Sequence, residues 1–322
     1  MINRIIKSFL KEWKDYPYQG RDYEISGMWQ DERLRASELW DAIIKNDIQK
    51  VERMLSDFAQ QKFTTGLSLI GDGQHNYKEQ EIKENYIDWK KLTFLPDKIL
   101  EYPNKFGFER TPINGIMIIP SAMRLSYYAK RIIDLVDGNV VEIGGGFGGV
   151  AYHLFRDFHF KHTYINCDIF ISLLITKYFL MSIFPDKKFL LYGENDIKNF
   201  KKYDIVLLPH FAIQKLPKGC CKIIFNSHSL SEIGKDTIAE YLRQITRISP
   251  EYFLHLNHDC QAYFTDRPIT RGVDRGHLVN LSEPKWEAIG YKRIYRLFEP
   301  LMRQEAIDYF EYLYEKNNRR PL

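Results

Sequence analysis

The residues best suited to chemistry lie in one stretch, VVEIGGGFGGVAYHLF, from Val140 to Phe155. It carries Gly144, Gly145, Gly146, Gly148 and Gly149, with Glu142 just upstream. Glycine is needed where a backbone turns tightly and a ligand approaches without a Cβ in the way. The helix pattern that follows would present free N–H groups and a positive dipole end. Packing alone does not call for so many glycines. The spacing fits two ligand classes: Gly144, Gly146 and Gly149 match the GxGxxG of dinucleotide sites, while Glu142, Gly144, Gly146 and Gly148 match ExGxGxG. Glu142 separates them. A carboxylate inside the strand end repels a diphosphate and attracts an ammonium or sulfonium, so S-adenosylmethionine is the expected cofactor.

Two further features point the same way. About 110 residues precede the loop, whereas many dehydrogenases begin with it, and the YxxxK matches, Tyr86 with Lys90 and Tyr312 with Lys316, are poorly placed for a dehydrogenase pair. Asp168 ends the next apolar run, where a carboxylate accepts hydrogen bonds from ribose hydroxyls. Ile169 would then pack on an adenine, and Glu194, Asn195 and Asp196 would reach its edge. A weak nucleophile such as a hydroxyl needs a base, and histidine suits neutral pH. Three of the nine histidines follow strand-like runs: His210, His228 and His258. His228 precedes Glu232 by four residues, so a helical turn there would let Glu232 orient the imidazole. His255 alternates within its strand and is read as structural. No HExxH or tight carboxylate cluster supports a metal, and HFKH and HLNH lie in a turn and a strand.

The elements that must hold these residues change in character along the chain. From Asp31 to about Phe63 apolar residues recur at helical spacing, and GDGQHNY at Gly71 to Tyr77 reads as a loop. Residues 1–110 are therefore read as a mostly helical lobe. Residues 111–322 alternate strand runs, VVEI, TYINC, FLLYG, DIVLLP, KIIFN, YFLHLN and YKRIYRLF, with helices at Ser121–Leu135, Ile169–Phe184 and Lys235–Ile248. That alternation predicts an α/β, Rossmann-like parallel sheet with helices on both faces. A last helix is expected from Arg303 to about Tyr314, then a solvated tail.

The 322 residues carry 46 Lys plus Arg against 42 Asp plus Glu, a net charge too small and too dispersed for a nucleic-acid binder. Aromatic residues reach 15%, which suits a packed core first and sugar or nucleotide stacking second. Cys167, Cys220, Cys221 and Cys260 form no CxxC, so a reducing, cytoplasmic setting is expected. The N-terminal charges Arg4, Lys7, Lys11 and Glu12 interrupt any signal core, and no run is long enough to span a bilayer. The stripe Ile2, Ile5, Ile6, Phe9 and Leu10 suits packing on the protein itself, with peripheral membrane contact as the alternative.

From about Gly115 to Asp259 the chain resembles the sugar O-methyltransferases of bacterial surface-polysaccharide gene clusters, a branch of the class I S-adenosylmethionine-dependent methyltransferases. The likeness rests on IIPSAMRLSYYAKRI, the glycine loop, YINCDI, YDIVLLP, FNSHSLSEIG, AEYLRQITR and YFLHLNHD. It implies methyl transfer to a sugar hydroxyl at the carboxyl ends of the strands, the acceptor being free, nucleotide-linked or lipid-linked. Under it Glu142, Gly144, Gly145, Gly146 and Gly148 hold the methionyl part, Asp168 the ribose, and Asn226 to Glu232 line the transfer site. Arg124 and Tyr127 or Tyr128 sit near the cofactor carboxylate or the acceptor, and His210 joins the acceptor side. The competing readings are a methyltransferase acting on nucleic acid or another small molecule, a nicotinamide oxidoreductase, and an inactive cofactor-binding subunit.

Overall fold

The computed structural model describes residues 1–16, 21–25, 29, 32–61, 63, 79–258, 279, 281, 283–302 and 309–317. Five helices come first: α1 (Ile2–Asp15), α2 (Glu32–Arg35), α3 (Ser37–Ile44), α4 (Ile48–Ser56) and α5 (Glu79–Thr93). The expected loop at Gly71–Tyr77 lies outside the described residues. A small antiparallel pair, β1 (Thr111–Ile113) and β2 (Ile116–Ile118), leads into α6 (Ser121–Leu135). Then follow β3 (Val140–Ile143), α7 (Gly149–Arg156), β4 (Tyr164–Asp168), α8 (Phe170–Ile183), β5 (Phe189–Leu191), β6 (Ile205–Pro209), β7 (Ile223–Ser227), α9 (Lys235–Ile248), β8 (Tyr252–His258), β9 (Tyr291–Phe298) and β10 (Tyr309–Lys316).

Strands β3 to β10 form one sheet in the order β5-β6-β4-β3-β7-β8-β10-β9. From β5 to β8 every pairing is parallel, and β10 runs antiparallel to both its neighbours. All residues of β3, β4 and β6 are buried, as parallel strands covered on both faces require. The right-handed crossover rule places α7 and α8 on one face and α9 on the other, giving the expected Rossmann-like α/β architecture. From β3 the chain steps to β4 on one side and later returns to lay β7 on the other. That reversal opens a crevice at the carboxyl end of β3, where open α/β sheets take their ligands.

The N-terminal stripe is spent on this sheet's outer layer. Ile5, Ile6 and Phe9 are buried, Phe9 lies 5.0 Å from Trp40 and 6.4 Å from Phe170, and Glu12 forms a fully buried ion pair with Lys177 of α8. Ile2 is half-buried and Leu10 stays exposed at the edge of the stripe. Phe58, just after α4, sits among Phe106, Phe108, Phe147 and Phe179 at 5.4–6.2 Å, so helices before residue 110 and the glycine loop share one core. Among the described residues no helix is long and apolar enough to cross a membrane.

One expected element is corrected. Of the helix placed at Arg303 to Tyr314, residues 303–308 lie outside the described ones and Tyr309 to Tyr314 belong to strand β10, slotted between β8 and β9. Both faces of that strand are largely buried, so its pattern carries no clean alternation. The tail from residue 318 onward lies outside the described residues.

Candidate functional site

Strands β3, β4 and β7 end level with one another, Ile143 pairing with Cys167 on one side and Asn226 on the other. The glycine loop leaves β3 at that rim. Gly144, Gly146 and Gly148 have φ of 72°, 58° and 93°, the left-handed region that side chains disfavour. At Gly144 space is short as well, since a Cβ would lie 2.5 Å from Ser229 Oγ. Gly144 N donates to Cys167 O at 2.9 Å, Gly145 N to Asn166 Oδ1 at 3.1 Å and Gly146 N to Asp168 Oδ2 at 2.8 Å. Three loop amides are thus already satisfied within the protein, and one faces a carboxylate. A diphosphate would have to displace these bonds and lie against Asp168, whereas a cation gains from the same carboxylate.

Asp168 also accepts from Ile169 N at 2.7 Å. A carboxylate offers about four lone-pair sites, so capacity remains for a ribose diol. Burial pushes its pKa up to about 7 despite the two backbone N–H donors. Ile169, half-buried, begins α8 beside it. Glu142 is almost wholly buried and accepts from Tyr164 Oη, and burial pushes its pKa up to about 8. It faces its neighbouring strand, so its action on a ligand would be through its field. Asn226 is fully buried: Nδ2 donates to Ile143 O at 2.7 Å and to Ser229 Oγ, and Oδ1 accepts from Asn257 Nδ2 at 2.8 Å. It braces the loop from behind.

His228 stands one residue before Ser229, whose side chain lies against Gly144, so its backbone neighbours the loop. Its φ is 57°, and its backbone N donates to Leu256 O at 2.8 Å. A non-glycine residue held in that region is costly, and such residues cluster at functional sites. His228 Nε2 lies 2.8 Å from Tyr128 Oη and 3.3 Å from Glu299 Oε2, and the ring lies 4.2 Å from that of Tyr309. Tyr128 Oη also donates to Glu299 Oε1. Glu299 is fully buried, while His228 keeps some exposure. The carboxylate against the imidazole is therefore that of Glu299. Glu232, expected in that place, is buried in the 3-10 turn Leu230–Glu232.

The remaining expected residues scatter. His210 is buried at the end of β6, Nε2 2.8 Å from Tyr23 O, and burial lowers its pKa to about 4. Strands β4 and β3 lie between β6 and β7, which sets it about 14 Å from the His228 strand at ordinary strand spacing. Tyr127 Oη donates to Glu311 Oε2 at 3.0 Å, a carboxylate shared with Arg131 and Tyr295, and so ties α6 to β10. Arg124, nearly buried, lines a small cavity with Ile82, Asn85, Ser121 and Leu301, one helical turn before Tyr128. Glu194 is bound by Arg4, and β6 separates its strand β5 from β4, so Glu194 to Asp196 do not follow the strand next to Asp168. The His258 backbone pairs with Tyr309 at the end of β8, while its side chain and Cys260 lie outside the described residues. Among the described residues no group of three His, Cys, Asp or Glu is arranged to hold a metal ion. Sequence reasoning missed Glu299 and Tyr309; the one signal for Glu299 was a carboxylate directly after the YKRIYRLF run.

No protein-family model matches the sequence, and none of the curated proteins does. Among solved structures, the chain is similar to the methyltransferase domain of bacterial CtHen1-C, at 13% identity and TM-score 0.44 over 60% of this chain and 96% of that one. It is similar to a SAM dependent methyltransferase from Aquifex aeolicus at 11% identity and TM-score 0.39, over 57% and 87%. The mitomycin 7-O-methyltransferase MmcR aligns at 14% identity and TM-score 0.40, over 61% and 55%.

Proposed function

We propose that this chain is an S-adenosylmethionine-dependent O-methyltransferase that acts on a saccharide hydroxyl, free, nucleotide-linked or lipid-linked, in the cytoplasm. The observation that carries the reading is the glycine loop at the sheet's switch point. Its amides are spent on Asn166 and Asp168, and two buried carboxyls, Glu142 and Asp168, lie beneath it. Such a site favours a cation with a ribose over a diphosphate. The saccharide part of the reading is supported by the resemblance of FNSHSLSEIG and its trailing helix, and residues 1–110 are assigned to acceptor or partner contacts.

When bound, the cofactor supplies an electrophilic methyl group. Asp168 would accept the ribose hydroxyls, Ile169 would pack on the adenine, and Glu142 would stabilise positive charge from beneath the loop once a bound cation draws off the proton that burial makes it keep up to about pH 8. Holding the acceptor oxygen in line would supply much of the rate. His228, one residue before the Ser229 that touches the loop, would take the hydroxyl proton, an aid of about 10²–10⁴-fold.

Calorimetry with S-adenosylhomocysteine and NADH in parallel tests the cofactor. The expected result is binding of the first only; binding of NADH alone refutes the reading. Trials of nucleotide sugars and glycans as methyl acceptors then test the substrate. Asp168→Ala should weaken S-adenosylhomocysteine at least tenfold, whereas His228→Ala should retain that affinity and lose turnover.

A further inference from the structure

The structure assigns to Glu299 a positioning role: it fixes which nitrogen of His228 carries the proton and offsets the charge that the ring gains. The inference rests on the reading of His228 as the base, and it concerns a residue far from the glycine loop in the chain. Glu299 follows β9 and is fully buried. Burying a carboxylate costs several kcal/mol unless an opposite charge or good donors meet it. Its two oxygens face two partners joined to each other: Oε1 accepts from Tyr128 Oη, and Oε2 lies 3.3 Å from His228 Nε2, itself 2.8 Å from Tyr128 Oη.

This triangle fixes the proton inventory. With Glu299 ionised, Tyr128 gives its one hydrogen to the carboxylate, so its oxygen can only accept from the imidazole. Both neighbours of Nε2 are then acceptors, and the favoured tautomer carries its hydrogen on Nε2. Nδ1, on the opposite side of the ring, keeps the lone pair. During methyl transfer Nδ1 would take the hydroxyl proton as the O–C bond forms and the S–C bond breaks. The imidazole would then carry the positive charge that the sulfonium gives up, and the Glu299 carboxylate would offset it. Two other groups near the ring do not replace it. Tyr309 from β10 lies with its ring centroid 4.2 Å away, and Arg124, which acts on Tyr128, adds positive charge.

The test needs no acceptor. The full chain, labelled with ¹⁵N-histidine, is titrated by long-range ¹H–¹⁵N correlation, and the His228 signals are identified by their loss in His228→Asn. The expected result is an Nε2–H tautomer, with the His228 midpoint falling by at least one pH unit in Glu299→Gln and partly restored in Glu299→Asp. An unchanged midpoint and tautomer in Glu299→Gln overturn the proposal. Should that variant fail to fold, Tyr128→Phe decides. With Glu299 in place the Nε2–H tautomer should persist, and its loss would make Tyr128 the determinant and overturn the role given to Glu299. Calorimetry with S-adenosylhomocysteine on the unlabelled wild-type chain keeps the two readings apart: absent binding refutes the cofactor assignment whatever the imidazole shows.

Discussion

Replacing Glu142 by Gln should flatten the dependence of stability on pH. The carboxyl is almost wholly buried, and burial lifts its folded-state pKa from 4.5 to about 8, with the charge of Asp168 adding to the effect and the Tyr164 hydroxyl opposing it. Between those two values the folded chain keeps a proton that the unfolded chain has released. Raising the pH therefore favours unfolding, by about 1.4 kcal/mol per unit. The stability held by the neutral form is complete below about pH 4.5, is lost as pH rises toward 8, and changes no further above it. Over the whole window the loss is on the order of 4–5 kcal/mol. For a chain of this length unfolding entropy is roughly 0.7 kcal/mol per kelvin, so the loss corresponds to a fall in Tm of about 6 °C. Gln is nearly isosteric, and its amide oxygen can still accept from Tyr164. Asp168, lifted to about 7 by burial, shifts stability in the same direction in both proteins, so the difference between them reports Glu142 together with its coupling to Asp168. Scanning calorimetry from pH 5 to 9 should show the two proteins alike at pH 5 and the variant the more stable at pH 9. Parallel curves across the range would refute the reasoning.

Two substitutions test the frame around the site. Gly144→Ala must place a side chain at φ 72° with its Cβ 2.5 Å from Ser229 Oγ, so it should cost at least about 2 kcal/mol in urea unfolding and weaken S-adenosylhomocysteine tenfold or more. Adding Ser229→Gly should recover part of the loss, and no recovery would mean that the contact is not what excludes a side chain. Phe58→Ala empties a site enclosed by four other rings and should cost about 3–5 kcal/mol while the whole chain still unfolds in one transition. An early transition confined to the N-terminal helices would show that they form a separate unit.

The parts of this molecule legible in its sequence are those set by local physics. Parallel strands buried on both faces read as short apolar runs, and each such run from Val140 to Asn257 is a strand, as is the more exposed, antiparallel YKRIYRLF. The glycine loop was legible because three of its positions need a left-handed backbone that glycine alone adopts freely. Strand order was not legible. Nothing in FLLYG or DIVLLP says which pairs with β4, and the insertion of β6 there moved Glu194 to the sheet edge and His210 into a packed aromatic cluster. Burial was hidden too: Asn226 and Tyr127 have the chemistry of contact residues, yet both are used to bind one element to another.

The largest omission follows from a single strand. Tyr309, Glu311 and Leu313 alternate with Phe310, Tyr312 and Tyr314, but both sets contain large apolar groups because β10 lies between β8 and β9 with layers on each face. Without a polar face the period of two has no contrast, and RQEAIDYFEYLYEK reads as a helix from its composition. Reading it so leaves the segment after β9 unplaced, and Glu299 with it. Tyr128 precedes His228 by 100 residues and Glu299 by 171, so no local spacing could join the three. Glu232 has the spacing by which a helical turn would bring it to His228, whereas the carboxylate that meets the imidazole is delivered by sheet topology. Because β10 pairs with β8, Tyr309 falls opposite His258 at the same rim where His228 leaves β7. The base candidate is thus enclosed by the last strand to join the sheet. A chain truncated before β10 should lose the Tyr309 ring against His228 and, because β9 pairs with β10, the placement of Glu299 after β9 as well, so the His228 tautomer read by ¹H–¹⁵N correlation should change.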